Sequence, residues 1–426
     1  MGDINLFRLL DTYFSIYMFF RNSFVWKLKI HKIIMNPLRI GNLEVKLPIV
    51  QGGMGVAISL SGLASAVANA GGIGVISAVA IGMTEPDYMK NYKEANKRAL
   101  RKEIRKAREL TDGVLGVNLM VAVNDYEELF TVALEEKIDV IILGAGLPLK
   151  MPQYLLDKGF AQTHTKIIPK ISSAKAAKVI FSYWAKNFNH VPDAVVVEGP
   201  KAGGHLGFKR SDLIDSDICL ETIVEETVDI IKNYETEFDK EIPVIAGGGI
   251  YNGKDIYKIL KKGARGVKMG SRFVTTDECD ASLEFKKTYL VSNKEDVTII
   301  QSPVGLPGRA IRNKFVDQIN AGETKPFKCY WKCLKSCDSK NVPYCIAQAL
   351  HNAAQGKMSE GFAFAGTEAY RATKIQSVYD TILELRLDYY RAKYFEYVRN
   401  FIGENFKPVK FHLPEIISGI LTPRFA

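Results

Sequence analysis

A histidine in a glycine-rich segment is the clearest candidate for chemistry in this chain of 426 residues. His205 lies in the run AGGHLG, residues 202–207, where no bulky neighbour buries it and where the pattern predicts a loop. An imidazole that titrates near neutral pH can remove an acidic proton from carbon, or it can position an anionic oxygen. The alternative is a histidine that only hydrogen-bonds its own loop, and we rank that reading second.

Two glycine clusters further along the chain predict a phosphate site. The apolar run Ile242–Ala246 stops at three glycines, residues 247–249, and a second predicted strand, Gly266–Met269, stops at Gly270 and Ser271. Glycine lets backbone N–H groups approach an anion closely, and the loops after strands seven and eight of a (β/α)₈ barrel commonly bind phosphate. We therefore expect both loops to hold one phosphate group.

Eight short apolar strands alternate with helices, which favours a parallel sheet closed into a barrel. A doubly wound open sheet is the alternative, but the glycines at 52–55 lack the G-x-G-x-x-G spacing and no acidic partner follows about 20 residues later. The predicted fold is α/β, a (β/α)₈ TIM barrel. Its strands are predicted at 47–50, 73–77, 113–120, 140–143, 167–171, 194–197, 242–246 and 266–269.

Functional side chains of such a barrel lie at the carboxyl ends of its strands. Polar residues do follow the predicted strands at these positions: Gln51, Asn118, Lys170, Glu198, His205, Lys268 and Ser271. We therefore expect them to surround one site.

The composition is that of an ordinary globular protein, with 47% hydrophobic and 24% charged residues. The formal charge of +10 is spread over amphipathic helices such as 85–111, which favours solvated faces over nucleic-acid binding. Six cysteines in so long a chain predict a reducing compartment, and we expect a cytoplasmic protein.

Residues 1–34 are rich in aromatic and basic residues, and Arg8 and Asp11 interrupt their apolar runs. This leaves no stretch long enough for a clean membrane span, although a weak interfacial helix is an alternative. We interpret the segment as an extension upstream of a natural start at Met35.

Several motifs resemble the nitronate monooxygenase family, formerly called 2-nitropropane dioxygenases, and the similar flavin-dependent enoyl-acyl-carrier-protein reductases. They are QGGMG, GVNLM, GPKAGGHLGF, PVIAGGGI and VKMGSRF, with SPVGLPGRAIRN further on. The resemblance covers roughly residues 36–312 and implies an FMN-binding barrel acting on a small-molecule substrate with O₂. The resulting division is an extension at 1–34, the FMN-binding barrel at 35–312, and a mostly helical subdomain at 313–426.

The resemblance also implies roles for individual residues. His205 matches the catalytic histidine. The residues expected at the cofactor are Gln51, Gly52, Gly53, Met54, Asn118, Lys170, Gly203, Gly204, Gly248, Gly249, Lys268, Met269, Gly270 and Ser271.

Two departures from the family bear on these roles. Lys268 stands where the family often has glutamine, so it is either a cation beside the flavin or a lysine directed to the phosphate. The run that follows His205 is more polar than the family leads us to expect, which leaves its substrate-facing residues open. Arg309 and Arg312 could each meet an anionic group, and a surface salt bridge is the safer expectation.

Four cysteines, Cys329, Cys333, Cys337 and Cys345, lie outside the resemblance, with the spacing C-x₃-C-x₃-C-x₇-C. On an unbroken helix, thiols four and eight residues apart are separated by ~6 and ~12 Å along the axis. One zinc ion with bonds of about 2.3 Å cannot reach all four. A shared metal therefore requires the helix to break, and an iron–sulfur cluster tolerates the spread better than zinc. Buried reduced thiols are an equally weighted alternative.

The preferred function is FMN-dependent oxidation of alkyl nitronates by O₂, with His205 as base or substrate-positioning residue. The second hypothesis is an NAD(P)H-dependent reductase of enoyl thioesters, and the third is a non-enzymatic flavin- or metal-binding sensor module. We expect no nucleic-acid partner and no integral membrane span, and a homodimer stays open.

Overall fold

The structure is a computed structural model that describes residues 35–214 and 217–402, apart from the side chains of residues 161 and 398–402. The predicted extension at 1–34 lies outside these residues, as does the chain beyond 402. In the described part no helix is long and apolar enough to cross a membrane.

Eight parallel strands form the central sheet, as predicted, and a small hairpin of β1 (Leu38–Ile40) and β2 (Leu43–Val45) precedes it. The barrel strands are β3 (Ile49–Gln51), β4 (Gly74–Ser77), β5 (Leu115–Met120), β6 (Val140–Gly144), β7 (Lys166–Ile171), β8 (Val195–Glu198), β10 (Val244–Gly247) and β11 (Gly266–Met269). Their order is β3-β11-β10-β8-β7-β6-β5-β4, and a parallel bridge between Val50 and Ile73 joins the two ends. The (β/α)₈ barrel prediction is therefore confirmed.

Helices cover the outside of this sheet and continue beyond it. They are α1 (Ser61–Asn69), α2 (Tyr92–Leu110), α3 (Tyr126–Glu135), α4 (Gln153–Lys158), α5 (Ala174–Phe188), α6 (Leu220–Phe238), α7 (Gly253–Lys261), α8 (Ser271–Val274), α9 (Leu283–Val291), α10 (Lys314–Asn320), α11 (Ile346–Ala354) and α12 (Val378–Ile402). Asn252 caps α7 through a capping box with Asp255, which explains why this helix begins directly after the glycine cluster.

Aliphatic side chains fill the barrel interior, and the hairpin closes its amino-terminal end. The buried cluster consists of Leu38, Ile40, Val45, Val50, Ile73, Val75, Val140, Ile142, Ile168, Ala194, Val196 and Ile245. Side chains two residues apart on a strand share a face, so the next inward positions after Ile168 and Val196 are Lys170 and Glu198. The apolar plug thus ends in a layer of charged groups at the carboxyl end of the barrel.

A second, antiparallel sheet lies against the loop that carries His205. It consists of β12 (Val297–Gln301), β13 (Pro307–Ile311) and β9 (Gly204–His205), with β13 in the centre. Gly308 pairs with His205 across this sheet. The chain between 297 and 311 therefore holds the glycine-rich histidine loop in place.

The long C-terminal helix α12 packs across α7, with Leu385 and Tyr389 buried. A Cβ at Gly253 would lie 2.1 Å from both the Leu385 carbonyl oxygen and the Tyr389 nitrogen. Only glycine permits this approach, so the predicted C-terminal helix is held against the helix that follows the glycine cluster.

Candidate active site

His205 is held by one side-chain hydrogen bond and by an aromatic ring. Its Nε2 atom lies 2.7 Å from the Ser302 hydroxyl oxygen, and its ring lies edge-on to Phe364 with centroids 5.0 Å apart. Burial, and then the positive charge of Lys170, lower the pKa of His205 to about 4, while Glu198 acts in the opposite direction. The imidazole is therefore neutral at physiological pH and can accept a proton.

Arg309 fixes the backbone of the loop that precedes His205. Arg309 is 5% exposed, and its Nη1 atom donates to the carbonyl oxygens of Pro200 and Ala202 at 2.6 and 2.5 Å. Burial lowers the pKa of Arg309 to about 10, so it keeps its charge at neutral pH. The expectation of a surface salt bridge is wrong for Arg309, which faces inward on the central strand β13. It is correct for Arg312, which pairs with Asp317 at 2.7 Å.

The glycine cluster after β10 lies against the segment 199–202. Gly248 and Gly249 have φ angles of +102° and +82°, which non-glycine residues rarely adopt. A Cβ at Gly248 would lie 3.0 Å from both the Ala202 nitrogen and the Gly199 carbonyl oxygen. This loop therefore requires glycine for its conformation and for its close packing.

The loop after β11 meets the loop after β3. The Gly52 N–H donates to the Met269 carbonyl at 2.8 Å, and a Cβ at Gly270 would lie 3.6 Å from the Met54 sulfur. Ser271, the first residue of α8, accepts a hydrogen bond from the Gly366 N–H at 2.9 Å. The loops after β3, β8, β10 and β11 are thus gathered at one end of the barrel.

Lys170, Glu198 and Lys268 form the charged layer above the apolar plug. Lys170 Nζ lies 2.8 Å from both carboxylate oxygens of Glu198. Lys268 comes two residues after Gly266, where a Cβ would lie 3.2 Å from Leu38 of the plug, so Lys268 also faces inward. The backbone of Lys268 pairs with β10 and β3 in the sheet, whereas its side chain has no hydrogen bond or ion pair within the described residues. Burial, and then Lys170, lower its pKa to about 8 against the effect of Glu198.

Some predicted cofactor residues contribute backbone or packing and not a free side chain. Gln51 is fully buried, and its amide accepts from the Val75 N–H at 2.7 Å and donates to the Gly52 carbonyl. Met269 is buried in the outer core. A Cβ at Gly53 would lie 2.3 Å from Cβ of Asn118.

Gly203 and Gly204 lie beside the histidine and behave differently. A Cβ at Gly203 would lie 2.5 Å from the Ala365 carbonyl carbon, whereas a Cβ at Gly204, where φ is +79°, would meet nothing within 4 Å. Gly203 is therefore a packing position, and Gly204 borders open space.

Residues that complete the site lie far away in sequence. Ser302 is 97 residues from His205, and Phe364 and Gly366 are farther still. The Pro- and Gly-rich run that starts at Ser302 was the sequence feature that could have indicated this contact. Nothing in that run distinguished the serine hydroxyl group.

The four cysteines of the 329–345 segment are all free thiols. Within the described residues, no three His, Cys, Asp or Glu side chains are arranged to hold a single metal ion. The zinc alternative therefore has no support from the geometry.

A closed parallel barrel that gathers a neutral histidine, a lysine–carboxylate pair and glycine loops at its carboxyl end belongs to the (β/α)₈-barrel enzymes. The sequence profile of the nitronate monooxygenase family matches residues 36–134 and 121–388. The chain belongs to the nitronate monooxygenase family, and it is an oxidoreductase.

Two relatives of this chain are named for different activities, and a solved structure is also similar to it. A Rhodococcus jostii (3aS,4S,5R,7aS)-5-hydroxy-7a-methyl-1-oxo-octahydro-1H-indene-4-carboxyl-CoA dehydrogenase is 30% identical over 288 residues, 67% of this chain and 69% of the relative. A probable nitronate monooxygenase of Staphylococcus saprophyticus is 28% identical over 66% of this chain and 79% of its own length. The structure of FabK from Thermotoga maritima matches with a TM-score of 0.64 and 26% identity, covering 84% of this chain and 96% of that one.

Proposed function

We propose that the protein is an FMN-dependent enzyme that oxidises alkyl nitronates with O₂. The observation that carries this proposal is His205, a neutral imidazole held by Ser302 beside the open space at Gly204. Membership of the nitronate monooxygenase family supports the same reaction class.

The glycine loops suit a cofactor that ends in one phosphate. Gly248, Gly249, Gly270 and Ser271 would hold the phosphate, and Gly52, Met54 and Asn118 would border the flavin ring. The residues fit this group because Gly204 borders open space and because the positive φ angles of Gly248 and Gly249 make the loop after β10 require glycine. FMN, when bound, supplies the electron transfer between substrate and O₂.

The protein residues would prepare the substrate for that transfer. His205 would remove the acidic proton next to a nitro group, or it would donate a hydrogen bond to a nitronate oxygen. Ser302 orients the imidazole through its hydroxyl group, and Arg309 fixes the approach of the loop. Lys170 and Glu198 neutralise each other, so they would shape the base of the cavity without adding net charge.

A second candidate is hydride transfer between NAD(P)H and an acyl thioester. The similarity to a CoA-ester dehydrogenase favours it, as does Lys268, a cation that could offset negative charge on a reduced flavin. Both reactions use the same barrel and the same cofactor site, so the substrate pocket decides between them.

The deciding experiment assays one preparation, whose released flavin is first identified as FMN, with two substrate pairs. One pair is propionate 3-nitronate with O₂, and the other is NADH or NADPH with crotonyl thioester. Turnover of the nitronate supports the proposal. Turnover of the thioester pair alone would replace it with the second candidate, and bound FMN without turnover of either pair would favour a sensor module.

Replacing Lys268 with glutamine should make the reduction potential of the bound flavin more negative. Loss of one charge-assisted interaction of about 1.5–3 kcal/mol corresponds to roughly 30–60 mV for a two-electron couple. Spectroscopic redox titration at pH 7 measures this shift. Lys268→Arg keeps the charge and should retain most of the wild-type potential, whereas an unchanged potential in Lys268→Gln would place Lys268 away from the flavin.

A further inference from the structure

The four cysteines lie in a segment where the helix is broken. Between the end of α10 at Asn320 and the start of α11 at Ile346, the described chain contains no helix and only one isolated bridging residue, Leu334. An unbroken helix would keep the four thiols apart along its axis, but this segment forms no helix. The segment can therefore bring its cysteines toward one another.

Backbone hydrogen bonds close this segment into a compact loop. The Lys325 N–H donates to the Pro343 carbonyl at 2.7 Å, which brings the chain just before Cys329 next to the chain just before Cys345. In the middle of the segment, the Cys333 carbonyl accepts from the Asn124 N–H at 3.0 Å. The two ends and the centre of the cysteine loop are thus fixed by different contacts.

Aromatic packing holds the central cysteine against α2. Trp331 stacks on Tyr92 with ring centroids 5.7 Å apart and lies edge-on to Tyr88, and Cys333 packs against this aromatic cluster. Cys345 is half-buried and is the N-cap residue of α11. The central cysteine and the last cysteine of the loop are therefore each held in place by neighbouring structure.

The cysteine side chains are partly withdrawn from solvent. Cys333, Cys337 and Cys345 are half-buried, and Cys329 is exposed. Four thiolates held in one compact loop repel one another, so they are stable together only when a positive group lies between them.

The size of that positive group follows from the spacing. One metal ion with bonds of about 2.3 Å draws its sulfur ligands into direct contact, and no such grouping exists among the described residues. In an iron–sulfur cluster, several iron atoms are bridged by sulfide, and each cysteine binds at a different corner. The cluster therefore keeps the thiolates farther apart than a single metal ion does. Lys332 directly precedes Cys333 in the same loop, and its charge would offset part of the cluster's negative charge.

We propose that Cys329, Cys333, Cys337 and Cys345 are the four ligands of an iron–sulfur cluster. The loop lies against residues 122–124, which follow β5, and the Lys335 N–H donates to the Ala122 carbonyl at 2.9 Å. Because β5 also carries Asn118, the cluster site lies at the same end of the barrel as the candidate active site.

The test is metal and sulfide analysis of the full-length protein after anaerobic purification and reconstitution with ferrous iron and sulfide. We expect iron and acid-labile sulfide in a fixed ratio to protein, with a broad absorbance that dithionite bleaches. Wild-type protein that holds no iron or sulfide, or that holds one zinc per chain instead, would overturn the proposal.

The remaining two cysteines supply matched controls. Cys333→Ser and Cys345→Ser should lose the iron and the sulfide, whereas Cys219→Ser and Cys279→Ser should keep both. Circular dichroism and flavin content show whether each variant is folded. Equal iron in all four folded variants would mean that the metal is bound elsewhere and would also overturn the assignment.

Discussion

The His205→Ala variant should keep its flavin and lose at least about 100-fold of its turnover on a neutral nitroalkane, with a smaller loss on the preformed nitronate. The neutral substrate needs a base to remove its proton, and the imidazole is the group available beside the open space at Gly204. The nitronate has already lost that proton, so only positioning is removed. Steady-state kinetics with the two forms of one compound measure the difference.

The pH profile and a neighbouring variant serve as controls. Since the pKa of His205 is lowered to about 4, the wild-type base stays neutral as the pH falls from 7 and is lost only as the pH passes through about 4. Ser302→Ala removes the 2.7 Å contact but leaves the imidazole, so it should cost less than His205→Ala. Equal losses on nitroalkane and nitronate in His205→Ala would assign the histidine to orientation alone.

The second large effect is expected at the glycine loop after β10, where Gly248→Ala should weaken flavin binding by the folded protein. The new Cβ would lie 3.0 Å from the Ala202 nitrogen and the Gly199 carbonyl oxygen, at a φ of +102°. The substitution adds backbone strain of roughly 1–3 kcal/mol. If the loop moves to relieve this strain, the affinity for the cofactor falls by about 5- to 150-fold. Fluorescence titration of apoprotein with FMN gives the affinity directly.

Gly322→Ala separates strain from cofactor binding. Gly322 has a φ of +90° but would place its Cβ with nothing within 4 Å, in the turn after α10. Both substitutions should lower the melting temperature, and only Gly248→Ala should weaken FMN binding. Similar FMN affinities in the two variants would argue against a phosphate at the loop after β10.

The barrel was predictable because its strands are short, apolar and separated by helices with clear starting signals. The run Ile242–Ala246 and the cap at Asn252 each specify local structure without help from the rest of the chain. The small neighbours of His205 singled it out as a candidate, but they did not predict that it lies in the short strand β9, partly buried against Phe364. Its catalytic role stays a prediction.

The contacts that complete the site were not predictable, because they join segments distant in sequence. The hydroxyl group of Ser302 meets His205 only after β13 pairs with β9, and Arg309 looked like a surface residue until that pairing turned it inward. Local sequence indicates which secondary structure a segment forms. It does not indicate which face of the segment is buried once the segment joins a sheet. The roles of the individual cofactor residues stay predictions.

The antiparallel pairing of β13 with β9 links His205 to the segment that carries Ser302. Arg309 clamps the backbone on one side of His205, and the strand that carries Arg309 also leads back to Ser302. The 297–311 segment thus joins the imidazole, the hydroxyl group and the guanidinium in one hydrogen-bonded unit. Under the proposed function, substitutions in the polar run after His205 would change the substrate contacts and leave the contact between His205 and Ser302 in place.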